Sequence, residues 1–220
     1  MSYSPESIQQ LIHSENYGER ITGINQLRNI DPQLAFTMIQ PLVTDENARI
    51  RYAAVSQLDP LGNVNLDTAL NLLRDRLFND SESDVRAAAA DAIGGLKLVS
   101  AFDDLEQVYD STSDWLIQLS IISALGEMGE PRAFGLLQKA LGSDNSLVKT
   151  AAVSAFGELG DQNAVALLIP FVDDEDWQIR YRLAQALGHL GGEQAIATLH
   201  QLAQDQMEQV ASEAQNNLSK

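Results

Sequence analysis

The chain has 220 residues, with 14 Lys plus Arg against 31 Asp plus Glu, a formal charge of −17 and no cysteine. That balance repels nucleic acid and anionic lipid, and the missing thiols exclude disulfides, thiolate metal sites and cysteine nucleophiles. Three scattered histidines argue against a transition-metal centre, the longest apolar run (164–172) is nine residues, and the first twenty residues carry no secretory pattern, so a soluble cytoplasmic protein without membrane insertion is expected.

Taken in chain order, the sequence repeats itself. Pro5 opens a first helix, and Arg20 leads into Gln26 and Leu27. Pro32 starts the next first helix, Pro41 falls inside it and should kink it, and Ile50 Arg51 then precede AAVSQL. The same apolar–cation pair recurs as Val85 Arg86, Val148 Lys149 and Ile179 Arg180, with Ile117 Gln118 and Val210 Ala211 as weaker copies, at steps of 35, 32, 31, 31 and 31 residues. The four extra residues of the first step are assigned to a turn from Pro60 to Asn65. Each copy is followed by a small, apolar register: AAADAIGGL, SIISALGEMG, AAVSAFGELG and RLAQALGHLG.

Upstream of each copy, Ala69, Ala101, Ala133, Ala164 and Ala195 are followed four residues on by Leu73, Leu105, Leu137, Leu168 and Leu199, which places each pair on one helical face. Pro131 begins one first helix and Pro170 kinks another. Gly129, Gly160 and Gly191 close second helices, while Gly126, Gly157 and Gly188 let the next repeat approach closely. The spacing predicts an all-α fold: a single right-handed α-solenoid over 1–220, about seven two-helix repeats of period 31–32, with capping units near 1–31 and 193–220.

The repeat register makes exposed second-helix positions comparable. Three residues before the cation position stand Trp115 and Trp177, 62 apart; one after it stand Tyr52 and Tyr181; nine after it come Glu127, Glu158 and His189. Each has a packing alternative: the Trp rings filling gaps between repeats, the Tyr rings half-buried, His189 as a cation at a helix carboxyl end. Asp45, Asp80 and Asp174 lie six residues before Arg51, Arg86 and Arg180, which suggests a ladder of ion pairs joining repeats. Asp173 to Asp176 reads as a turn that caps the following helix, and His13 and His200 as solvated surface. Arg49, Arg51, Arg74, Arg76 and Arg86 supply five of the fourteen cations within 38 residues, a candidate partner-binding patch. No GxSxG, phosphate loop, HExxH or EF-hand spacing occurs.

The Asp-and-Arg pattern with kinked first helices resembles HEAT repeats. More specifically, DENARIRYAAVSQL, DSESDVRAAAADAIGGL and DDEDWQIRYRLAQALGHLG resemble the HEAT-repeat phycobilin lyase family, whose members handle linear tetrapyrroles on phycobiliproteins. The length, the acidity and the segment MSYSPESIQQLIHSENYGERITGINQLR look most like the family's phycobilisome-degradation branch. The E-type lyase subunits carry an Arg-Tyr-Tyr-Ala-Ala-Trp-Trp-like helix. Here the nearest match runs Arg51, Tyr52, Ala53, Ala54, Val55, Ser56; the double Trp is missing, which favours detachment over attachment.

What the resemblance implies is binding of phycocyanin or allophycocyanin subunits, contact with phycocyanobilin as ligand or substrate, and a place near phycobilisomes on the thylakoid surface, in a homo- or heterodimer. Arg51, Arg180 or Arg182 would meet the propionates, Trp115, Trp177, Tyr52 or Tyr181 the π-surface, and Glu127 or Glu158 the pyrrole N–H groups. Reversing the bilin–cysteine thioether would need a proton acceptor and donor, for which Glu158 and His189 are the candidates. Two other readings stay open: a non-enzymatic scaffold that holds an antenna subunit, and a HEAT adaptor for an unrelated partner.

Overall fold

The computed structural model describes residues 4–219; Met1 to Tyr3, the start of the segment that carries the resemblance, and Lys220 lie outside the described residues. Among the described residues the structure is helical throughout, with no strand. The helices are α1 (Pro5–Ile12), α2 (Tyr17–Gln26), α3 (Pro32–Ile39), α4 (Ala48–Leu61), α5 (Leu66–Asn79), α6 (Ser83–Gly95), α7 (Phe102–Ser111) and α8 (Trp115–Met128), then α9 (Phe134–Leu141), α10 (Ser146–Leu159), α11 (Val165–Leu168), α12 (Trp177–Leu190), α13 (Glu193–Leu202) and α14 (Glu208–Leu218). The chain divides into two compact units, residues 1–124 and 125–220.

In both units odd and even helices alternate as first and second helices of a repeat. The even ones pack on one another, α2 on α4, α4 on α6, α10 on α12 and α12 on α14, while α5 lies on α6, α9 on α10 and α13 on α14. The apolar periodicity explains why. Every Ala of the first-helix pairs is 0 % exposed and every paired Leu at most 2 %, and the apolar residue before each cation position, Ile50 through Val210, is at most 1 % exposed. Burying an Ile or Leu in this way contributes roughly 1.5–3 kcal/mol each, so the repeated positions carry the stack.

The prolines act as their positions dictate, with one correction. Pro5 and Pro32 stand at the first position of α1 and α3, where a missing N–H costs nothing. Pro41 and Pro170 turn α3 and α11 into 3₁₀ segments, 40–44 and 169–173, which is how the expected kinks are realised. Pro60 does not begin a turn: it lies inside α4, which runs on to Leu61 before a 3₁₀ turn at 62–64. A proline one residue from the helix end loses only the bond to the Ser56 carbonyl, and the added turn is closed by a Gly62 N–H donating to Leu58, so the helix absorbs the insertion.

Two glycine positions matter. Gly129, Gly160 and Gly191 have φ of +63°, +72° and +66° and end second helices in the left-handed region; the register-equivalent of Gly129 after α6 is Lys97, held at φ +51°. One turn earlier, a Cβ on Gly94 would lie 2.6 Å from Ala124 Cα, and one on Gly157 would lie 2.8 Å from Ala186 Cα, so adjacent second helices touch backbone to backbone there. At Gly188 the expected backbone approach is replaced by the Asn217 side chain.

Candidate functional site

Each second helix is preceded by a capped turn, and five of the seven add a second cap at the helix itself; α6 and α14, which start after Glu82 and Met207, lack it. The side chains of Ser14, Asp45, Asp80, Thr112, Ser143, Asp174 and Asp205 each accept from the backbone N–H two residues on, at 2.8–3.2 Å. Two residues later Asn16, Asn47, Asp114, Asn145 and Asp176 do the same for the helix itself. The Asp173 to Asp176 segment thus has the turn and capping role its composition suggested.

The cation position builds on these caps. Arg51 donates to both carboxylate oxygens of Asp80 at 2.8 Å and to the Asp45 and Glu46 carbonyls at 3.0 and 3.2 Å. Arg180 repeats the arrangement: 2.6 and 3.0 Å to Asp205, 2.6 and 3.3 Å to the Asp174 and Glu175 carbonyls. Arg20 pairs likewise with Asp45. Gln118 keeps only the backbone half of the pattern, donating to the Thr112 carbonyl at 3.0 Å, and Arg86 donates through Nε to the Leu77 carbonyl at 2.8 Å. The residues standing where the next Asp would be are Thr112 and Ser143. Burial pushes Asp80 up, but the Arg51 hydrogen bond, the Glu82 N–H and the Arg51 and Arg76 charges outweigh it and hold the carboxyl below its usual range. In Asp205 the Arg180 hydrogen bond is the largest influence, with the same net direction.

Arg51 and Arg180 are therefore rungs of the ladder, with 11 % and 7 % of their side chains exposed. The same holds for most of the candidate partner-binding patch. Arg74 pairs with Asp104 at 2.5 Å and reaches the Ser100 carbonyl, and Arg76 pairs with Asp75 and, at 3.0 Å, with Asp80. Five neighbouring cations in the sequence do not make a cationic surface. Of that group Arg49 alone points to solvent, its guanidinium 5.8 Å from the Tyr17 ring centre and 3.4 Å from its hydroxyl oxygen.

The positions beside the cation behave differently. In residues 4–124, Trp115 is 45 % and Tyr52 47 % exposed, so neither ring fills a gap between repeats. In residues 125–219 one face of α12 presents Trp177, Tyr181, Arg182, Gln185 and His189, the i, i+4 row opposite buried Ile179, Leu183, Ala186 and Leu190. Gln185 ties this row together: its Nε2 donates to the Tyr181 hydroxyl at 3.2 Å, and its Oε1 accepts from Arg182 Nη1 at 2.8 Å. The Arg182 guanidinium lies 5.8 Å from the Tyr181 ring centre and forms no ion pair among the described residues.

Glu158, in the last turn of α10, completes the group. Its Oε2 lies 2.7 Å from where a Gly126 Cβ would stand, against Ala155, so the missing side chain of Gly126 makes room for the carboxylate. Burial there raises its pKa, opposed by the charges of His189 and Arg182, so both lie within electrostatic reach of the carboxylate. Such a group can stack a planar ligand, pair with an anion and exchange a proton. Glu127, in the last turn of α8, is exposed.

Two features were missed in the sequence. Tyr17, 50 % exposed, stands three residues before Arg20, the position of Trp115 and Trp177, and the register alone identifies it. Asp91 has its carboxyl raised by burial, against the effect of the Ser120 hydroxyl, and no sequence pattern marks it.

No metal-binding group of His, Asp and Glu occurs among the described residues, and no helix is long and apolar enough to cross a membrane. No curated protein matches the chain. Among solved structures, the complex of CpcE and CpcF of phycocyanin lyase from Nostoc sp. PCC7120 matches at TM-score 0.67 and 22 % identity, covering 100 % of this chain and 95 % of that one. The archaeal HEAT-like repeats protein from Thermococcus onnurineus NA1 matches at 0.60 and 14 %, covering 99 % and 96 %. An engineered protein matches at 0.59 and 18 %, covering 98 % and 68 %. These likenesses establish the fold. The family of HEAT repeats matches residues 4–94, 70–157 and 135–219, and with nearly the whole length so covered, the chain belongs to the HEAT-repeat family.

Proposed function

We propose that the protein binds phycobiliprotein subunits and handles their phycocyanobilin during phycobilisome degradation, in the manner of the NblB branch of the phycobilin lyase-like proteins. The observation that carries this reading is the α12 face, where exposed Trp177, Arg182 and His189 and half-buried Tyr181 and Gln185 lie in one row beside Glu158. A linear tetrapyrrole is long, planar and carries two propionates. Trp177 and Tyr181 suit its π-surface, and Arg182, hydrogen-bonded to the neutral Gln185, suits a propionate. The sequence resemblance and the likeness to the CpcE and CpcF complex support the ligand class.

In detachment, Glu158 accepts the proton from the carbon next to the sulfur-bearing carbon. The C–S bond breaks with its electron pair leaving on the partner's cysteine sulfur, a C=C bond forms, and protonated His189 supplies a proton to the thiolate. Burial favours Glu158 as a base because a raised carboxyl holds its proton more firmly. The site of action would be the phycobilisome at the thylakoid surface. A scaffold without thioether chemistry is the second reading, favoured by the exposed Tyr17, Tyr52 and Trp115 in residues 4–124, away from the Glu158 and His189 pair in sequence.

Titrating the protein with free phycocyanobilin and recording its visible spectrum tests the reading. A saturable spectral shift that Trp177→Ala and Arg182→Ala abolish while remaining folded supports it. No shift, with phycocyanin still co-eluting, leaves the scaffold.

A further inference from the structure

We propose that the cleft between the starts of α4 and α6 receives a basic side chain, arginine in preference to lysine, from an extended segment of a partner protein. The cleft has a volume of about 460 Å³ and is lined by Ala48, Arg49 and Tyr52 from α4, by Glu82 just before α6, and by Asp84 and Val85 from α6. That size falls within the roughly 300–1,000 Å³ of sites that enclose a side chain or small ligand.

Its chemistry selects a cation. Ala48 supplies apolar contact, and Tyr52, 47 % exposed, offers an open ring. Glu82 and Asp84 line the cleft opposite, and neither forms an ion pair among the described residues; Glu82 accepts a hydrogen bond from the Ser81 hydroxyl at 3.3 Å. Arg49, the one cation in the lining, is drawn to the Tyr17 side by its ring contact and hydrogen bond there. The lining therefore carries two carboxylates against one engaged guanidinium, on a chain of net charge −17. An anionic occupant is repelled both at long range and within the cleft. A planar guanidinium can stack on Tyr52 while it donates to a carboxylate of the opposite wall, whereas an ammonium offers only a point charge.

This surface is independent of the bilin reading and reverses the expectation drawn from the five arginines. Because Arg51, Arg74 and Arg76 are paired with aspartates, the stretch from 49 to 86 presents acidic groups to a partner, so the partner segment that steers toward it is basic.

The experiment uses the full chain, ¹⁵N-labelled, and a blocked peptide with one arginine among glycines, compared with its citrulline isostere and its lysine counterpart. The expected result is a saturable set of amide shifts at the starts of α4 and α6, about tenfold weaker binding of the citrulline peptide, and an intermediate response to lysine. Asp84→Asn and Tyr52→Ala, both at exposed positions, should each weaken binding roughly fivefold without changing the thermal transition. An equal response to arginine and citrulline, shifts confined to other residues, or no saturable shift overturns the proposal.

Discussion

Residues 4–124 and residues 125–219 use the same repeat to different ends. In the first unit Arg20, Arg51, Arg74 and Arg76 are all paired with aspartates of their own or a neighbouring repeat. In the second, Arg180 is paired in this way, but Arg182, two residues on, is left with a neutral hydrogen-bond partner amid an aromatic and titratable row. The difference teaches that an Arg at the cation position serves the stack where the next repeat offers an Asp, as at Arg20, Arg51 and Arg180, while the positions beside it are free to differ between repeats. Function is legible only where that freedom has been filled by groups that packing does not use.

The largest expected effect is acid unfolding, because it acts on every rung at once. Asp45, Asp80 and Asp205 all have folded-state values below the ordinary carboxylate value of about 3.9. Their stabilisation is complete above that value and is lost as pH falls through the lower folded-state values. Stability should therefore drop steeply below about pH 4, and hydrogen exchange should find residues 4–124, which hold more rungs, opening first. Asp91 has the opposite sign: its raised carboxyl costs stability once pH exceeds its folded-state value, so Asp91→Asn should raise the neutral-pH transition temperature and lose that advantage in acid.

Next in size is Arg51→Ala, which strips the bidentate partner from Asp80, a side chain with no exposed surface. Removing one member of a buried pair costs about 3 kcal/mol, read from urea unfolding. Gly157→Ala should follow at about 2 kcal/mol, since the new methyl would overlap Ala186 at 2.8 Å and two packed helices cannot easily part. A comparable loss from Gly160→Ala would have another origin, backbone strain at φ +72°. The smallest effect is a gain. Lys97→Gly places glycine at φ +51°, where Gly129, Gly160 and Gly191 already stand in other repeats, and should stabilise by about 0.5–1 kcal/mol after the added freedom of the unfolded chain is counted.

Much of the fold could be read in the sequence because burial imposes strict periodicity. The Ala and Leu pairs four apart and the apolar residue before each cation are buried throughout, and a helix has no other way to satisfy that spacing. Pro60 was misread because a proline one residue from a helix end and one in a turn look the same locally; what separates them is the Gly62 N–H closing onto Leu58, a bond that depends on the neighbouring packing. The candidate site was legible only in part. Register located Trp177, Tyr181, Glu158 and His189, while Arg182 entered only through the family resemblance, beside Arg180, and nothing local separates the two: the partner that occupies Arg180 is Asp205, 25 residues on. The arginine-rich stretch misled for the same reason. Charge density along a chain says nothing about which aspartates fold against it.

The most direct measurement sets Arg180→Ala beside Arg182→Ala and reads thermal stability and the phycocyanobilin spectrum on both. Division of labour between adjacent positions predicts that Arg180→Ala lowers the transition temperature and that its folded fraction still shifts the bilin spectrum, whereas Arg182→Ala melts as the unaltered protein does and binds no bilin. If Arg182→Ala is destabilised as much as Arg180→Ala, or if both bind bilin as the unaltered protein does, the α12 face is part of the scaffold and the division is wrong.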